Sequence, residues 1–215
     1  MALQSGLIQN KISITRAGRQ IAVARSKEAI TGVSDYPNLS EPPVKVLDLR
    51  REEPFRPATH FDTLPEIRLA EPFEALRDRS DAILNRAGAR PKVFLATLGK
   101  LSDFNARATF ARNLYEAGGI EAVSNDGFNS LDEMVSAFKK SGARIACLCS
   151  SDRVYAADAE RTAAALKLAG AVVHLAGRPG EHEYAWNKAG ISTYIYSGCD
   201  VLAILHAAHE ILDNP

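Results

Sequence analysis

Four times in the second half of the chain a helical pattern ends in a small residue and glycine, and an apolar strand follows at once: EAGGIEAV, KSGARIACL, LAGAVVHL and KAGISTYI. Glycine recurs at such joints because the residue past a helix end often turns left-handed, a conformation that a side chain disfavours. Four joints imply five βα units. The predicted strands are 93–97, 120–125, 144–151, 171–177 and 193–197, each short, apolar or β-branched, and separated by a helix-length segment. Connections of that length give a parallel sheet covered by helices on both faces.

Two helix signals support this division. Ser130 and Glu133 have the spacing of a capping box, which predicts a helix starting near Ser130. The last segment, CDVLAILHAAHEIL, has a broad apolar face that suits packing on a sheet.

Residues 1–90 follow another pattern. A first helix is expected from about Ala2 to Glu28, with Leu3, Leu7, Ile8 and Ile12 towards one side. Seven of the ten prolines then fall between Pro37 and Pro72, which predicts an extended, irregular segment that wraps over its own domain or docks on another subunit. The charged run RLAEPFEALRDRSDAILNRAG leads through a helix into the α/β part.

The whole chain carries 26 basic and 26 acidic residues, so no overall field favours nucleic acid or an anionic membrane. Within residues 1–30, Lys11, Arg16, Arg19, Arg25 and Lys27 stand against Glu28 alone, which marks a basic helix suited to an acidic surface. The three cysteines, Cys147, Cys149 and Cys199, make an odd count, and the first two would share one face of a strand as buried, reduced thiols. No stretch has the roughly 20 apolar residues of a membrane span, and no secretory signal is evident. A cytoplasmic or equivalently reducing compartment is expected.

In an open parallel sheet, ligands bind beyond the carboxyl ends of the strands where strand order reverses. With the order 2-1-3-4-5, the loops GKLSDFN and SSDRVYA flank that point. Neither matches a familiar phosphate cradle: Gly99 stands alone where a dinucleotide loop needs three glycines, and Lys100-Leu101 does not complete a Walker loop. The acidic cluster of a receiver domain and the G-x-S-x-G elbow of a hydrolase are likewise absent. His206 and His209, three apart, are weak metal candidates and read as surface or interfacial residues. Arg153 and Tyr155 could meet an anion or a ring, and are read in preference as parts of a solvated loop.

The phrases ITGVSDYPNL (30–39), RLAEPFEALR (68–77) and PKVFLATLGKLSDFNARATFARNLYEAGGIEA (91–122) resemble methylmalonyl-CoA mutase, specifically the cobalamin-binding-type domain of the small, non-catalytic subunit of the heterodimeric bacterial enzymes. The resemblance implies a flavodoxin-like, doubly wound, five-stranded parallel sheet with an N-terminal helical and extended segment. It divides the chain into residues 1–60, resembling the end of a TIM barrel plus linker, a linker helix in 61–90, and a degenerate cobalamin-binding-type domain in 91–215.

Family members that bind cobalamin carry Asp-x-His-x-x-Gly after the first strand, the histidine being the lower cobalt ligand. On that pattern this chain has Leu101, Asp103 and Ala106, so all three positions have changed. A carboxylate at Asp103 is a poorer partner for cobalt than an imidazole. Leu101 and Phe104 are expected to add bulk where the cofactor's nucleotide tail would thread. Gly99, Asp103, Ser150, Ser151 and Gly177 are the family's cofactor-lining positions here, with Ala176 and Gly177 keeping half of a glycine pair. The resemblance therefore implies adenosylcobalamin in the family but no cofactor for this chain alone, and no catalytic or metal-binding residue; the alternative expectations are a component that binds cobalamin and acts directly in the isomerase and, more weakly, a flavodoxin-like nucleotide-binding module. Its implied partner is a catalytic large subunit, with self-association a further expectation and neither nucleic acid nor membrane involved.

Overall fold

A computed structural model describes residues 2, 4–42, 64 and 66–213. The expectation of an extended docking segment falls mainly on 43–63 and 65, outside the described residues.

Helix α1 spans Leu7–Ala24 and α2 spans Glu71–Ala87. The α/β succession follows: β1 Lys92–Thr97, α3 Leu101–Ala117, β2 Glu121–Val123, α4 Leu131–Ser141, β3 Ile145–Cys149, α5 Asp152–Leu168, β4 Val172–Ala176, a 3-10 turn Gly180–His182, α6 Glu183–Ala189, β5 Ile191–Ile195 and α7 Val201–Asp213. Every strand pair is parallel and the order is β2-β1-β3-β4-β5. The five expected strands all form, shifted by up to two residues at their ends, and the first helix is shorter than expected at both ends.

Side-chain alternation sorts the core into two layers. Val93 and Leu95 of β1, with Cys147 and Cys149 of β3, pack beside Ala111, Leu114 and Tyr115 of α3 and Leu205 of α7. Phe94, Ala96, Ala146 and Leu148 instead join Met134 and Phe138 of α4, Tyr155 and Ala159 of α5, and Trp186 of α6. The cysteines thus share one strand face, buried and free, as their spacing predicts.

The helix expected as a linker is built into the first layer. Phe73 and Leu76 of α2 are buried there, and Ser80 Oγ donates to the Gly119 carbonyl at 2.6 Å. Arg77 reaches from α2 to the carbonyls of Gly32, Val33 and Ala117, so its guanidinium clamps the 30–36 turn onto the end of α3. A fifth glycine joint, Gly88 in left-handed conformation, ends α2 just before β1.

The cap of α4 differs in one arm from the expected box. Ser130 Oγ accepts the Glu133 amide at 3.2 Å, whereas Glu133 Oε2 accepts from the Asn129 amide, one residue earlier than the reciprocal bond requires.

Candidate functional site: the cleft between the first and third strands

Strand β1 sits between β2 and β3, and the chain runs outward from it in both directions, so the loops after β1 and β3 face each other at the switch point. The family positions Gly99, Asp103, Ser150 and Ser151 all meet there. Gly177 stands farther along the same edge of the sheet, after β4.

Gly99 adopts φ +81°, and a Cβ on it would lie 2.8 Å from Asp103 Oδ2. Glycine therefore allows both the turn and the inward placement of the Asp103 carboxylate. That carboxylate is fully engaged. Oδ2 accepts the Lys100 amide at 3.0 Å, while Oδ1 accepts Ser151 Oγ at 3.3 Å and Arg153 Nη2 at 3.2 Å. The Lys100 amide above all, then Arg153 and Ser151, holds the Asp103 carboxyl below the usual carboxylate range.

One turn further along α3, Arg107 makes the reciprocal connection. Its Nη1 donates to the Ser150 carbonyl at 2.7 Å and its Nη2 to Asp152 at 2.6 Å. The two ion pairs run in opposite senses, Asp103 to Arg153 and Arg107 to Asp152, so acid and base alternate on both sides of the cleft. Arg153 and Asp152 are well exposed, and exposed pairs of this kind stabilise little by themselves. Their effect is positional: they set the distance between the β1–α3 and β3–α5 loops.

Below them lies a buried layer. Ser150 Oγ donates to the Leu98 carbonyl at 2.7 Å, which ties the two strand ends directly. Tyr155 lies fully buried in the first turn of α5 and corrects its reading as part of a solvated loop. Its hydroxyl accepts the Ser150 amide at 2.8 Å and sits 2.9 Å from the carbonyls of Leu148 and Ala176. Burial pushes the Tyr155 phenol well up, so it remains a neutral donor to one of those carbonyls. Arg107 also lies over its ring, 5.1 Å from the centroid.

Leu101, the first residue of α3, is 62% exposed, whereas Phe104 is buried and packs beneath Gly127 of the β2–α4 loop. Ala106 is exposed on α3.

His206 and His209 do not converge. His206 faces solvent, while His209 is buried and its Nε2 pairs with the Gly118 carbonyl at 2.8 Å. Burial lowers the His209 pKa, consistent with a neutral ring donating that bond. Among the described residues no group of three or more His, Cys, Asp or Glu side chains is placed to hold a metal ion. No helix among them is long and apolar enough to cross a membrane.

Gly177 borders a separate cavity of about 670 Å³ over the ends of β4 and β5, lined in part by Arg107, Arg178, Trp186 and Tyr196. A Cβ at Gly177 would lie 3.3 Å from Arg107 Nη1, so the glycine makes room for the arginine. Arg178 stacks over Tyr196 at 4.2 Å on the cavity's other side. Arg107 went unnoticed in the sequence, although it lies four residues after Asp103, a spacing that puts both on one helix face.

No protein-family model matches the chain. Curated relatives do. The methylmalonyl-CoA mutase small subunit of Streptomyces virginiae is 48% identical over 205 residues, covering 95% of this chain and 31% of the relative. That of Propionibacterium freudenreichii subsp. shermanii is 34% identical over 98% of this chain and 32% of its own length. A probable methylmalonyl-CoA mutase small subunit of Mycobacterium tuberculosis is 38% identical over 79% of this chain and 26% of its own. The chain is thus a homologue of the methylmalonyl-CoA mutase small subunits, spanning about a third of the length of the curated relatives it matches.

Proposed function

We propose that the chain is a non-catalytic component of a methylmalonyl-CoA mutase assembly, a degenerate cobalamin-binding-type domain that supports association with the catalytic large subunit. The assembly interconverts methylmalonyl-CoA and succinyl-CoA; this chain alone does not. Its place of action is the cytoplasm, and its partnership is heterodimeric.

The observation that carries this reading is the state of Asp103. A lower cobalt ligand needs a donor with a free lone pair aimed out of the cleft, held there by an outer partner. The Asp103 carboxylate instead accepts three hydrogen bonds from its own surroundings, from Lys100, Ser151 and Arg153. Cobalamin's nucleotide tail would have to part Ser150 from Leu98 and Arg107 from Ser150 and Asp152. The residues present do not fit the cofactor, and the proposal assigns it no step here. Gly99, Ser150, Ser151 and Gly177 then keep the family's positions as packing residues.

The relatives' designation as small subunits supports a larger partner. Mixing the chain with a mutase large subunit at micromolar concentrations and passing the mixture over a size-exclusion column tests the association. Co-elution as one complex is expected; independent elution of both proteins would contradict it.

The cavity beside Gly177 favours one second reading, a flavodoxin-like nucleotide-binding module. Its volume is in the range of small-ligand sites. Nucleotide or flavin released from the purified, heat-denatured protein and seen by chromatography and absorbance would support that reading over the first.

A further inference from the structure

The turn after β2 reads SNDGFNS and contains the chain's one Asp-Gly step, Asp126-Gly127; the chain has no Asn-Gly step. A step of this kind is chemically weak. The amide nitrogen of the glycine can attack Cγ of the aspartate, because glycine carries no side chain to obstruct the approach and permits the bent backbone that it needs. The new N–C bond forms as water leaves, the hydroxyl from the carboxyl group and the proton from the amide. Water then opens the five-membered imide at either carbonyl. One opening restores aspartate, and the other leaves isoaspartate, with the main chain rerouted through Cγ. Only water takes part.

Asp126 meets the conditions for this reaction. It is exposed, and among the described residues its side chain makes no hydrogen bond or ion pair. Gly127 adopts φ +108°, and a Cβ on it would lie 3.5 Å from the Phe104 ring.

The Gly127 amide, however, is engaged. It donates to Asn125 Oδ1 at 3.1 Å. The Asn125 side chain is itself held from two sides, since its Nδ2 donates to the Leu95 carbonyl at 2.6 Å and its Oδ1 also accepts Thr97 Oγ1. Both of those partners belong to β1, so the asparagine is a bracket from the sheet to the turn. The Gly127 nitrogen becomes a nucleophile only on giving up its proton, and the bracket holds that proton.

We propose that Asp126 is a site of slow, spontaneous isomerisation to isoaspartate, held in check by Asn125. Isomerisation there adds a methylene to the main chain of the β2–α4 loop. That loop closes over Phe104, and a Cβ on Gly127 would lie 3.9 Å from the Gly99 carbonyl, so the change bears on the loop after β1. It does not depend on the mutase reading.

The test follows isoaspartate at Asp126 in the full chain, incubated for weeks at physiological temperature and pH, by electron-transfer fragmentation of the peptide that contains it. Isomerisation leaves the mass unchanged, which separates it from deamidation of Asn125. The chain unfolded in guanidinium chloride gives the unguarded rate, and the folded chain should be slower. Asn125→Ala should raise the folded rate about three- to tenfold, the factor that one hydrogen bond of ordinary net strength is worth. Asp126→Glu should abolish the product, since its ring would need six members. Tyr155→Phe, which lowers stability and leaves the bracket intact, should keep the native rate, and circular dichroism will show that each variant is folded. In the native chain the Gly127 amide should exchange with deuterium more slowly than an unprotected amide, a readout that needs no variant. The proposal is overturned by an unfolded chain without isoaspartate at Asp126, by equal rates folded and unfolded, or by unprotected exchange at Gly127. It is equally overturned if Asn125→Ala isomerises no faster than the native chain or than Tyr155→Phe.

Discussion

Tyr155 and His174 show how single buried polar groups tie this domain together. The Tyr155 hydroxyl is the partner of the Ser150 amide at the end of β3. Tyr155→Phe leaves that amide unpaired in the core, a loss of about 1–3 kcal/mol. Urea denaturation should show it as a lower midpoint with an unchanged slope; an unaltered midpoint would mean that the amide finds another acceptor. His174, in β4, is buried with its Nδ1 2.7 Å from the Tyr115 hydroxyl, and burial lowers its pKa to about 4. Unfolded, the imidazole titrates near its ordinary value of about 6.5. The unfolded chain thus binds the extra proton first, so His174 contributes no penalty above that value, and stability falls as pH drops from there towards 4. The full effect is about 3 kcal/mol. The measurement is the difference in unfolding free energy between the wild type and His174→Gln at pH 7 and pH 4.5. The wild type should lose more over that interval, and parallel losses would contradict the assignment.

At the scale of elements, α2 belongs to the core. Phe73→Ala should cost about 3–5 kcal/mol, the range for a buried phenylalanine. A loss below about 1 kcal/mol, the level of a surface change, would show α2 to be detachable. The βα succession was legible because each glycine joint is a local backbone event, and Gly119, Gly142, Gly170 and Gly190 do adopt positive φ. The alternation of side chains along a strand likewise let Cys147 and Cys149 be assigned to one face, although every residue of β3 is buried. The Ser130 boundary was readable for the same reason, although Glu133 bonds one residue earlier than its motif implies. What stayed hidden depends on partners far apart in the chain. Arg107 bonds Ser150 and Asp152 from more than forty residues away, and Tyr155 looks like a loop residue until β4 closes over it. The altered motif itself was plain in the sequence; the bonds that occupy Asp103 were not.

At the scale of the whole molecule, the carboxyl edge of the sheet, where related folds hold ligands, is cross-linked by Asp103, Arg107, Ser150 and their partners. Helix α1 keeps exposed apolar residues. On the proposed reading the chain serves association rather than chemistry, and the proposed lack of a corrinoid site is the claim on which that reading depends. The direct test is to incubate the purified chain with excess adenosylcobalamin, desalt it and record the visible spectrum against protein concentration. The predicted result is no corrinoid absorbance in the protein fraction; retention near one corrinoid per chain would contradict it.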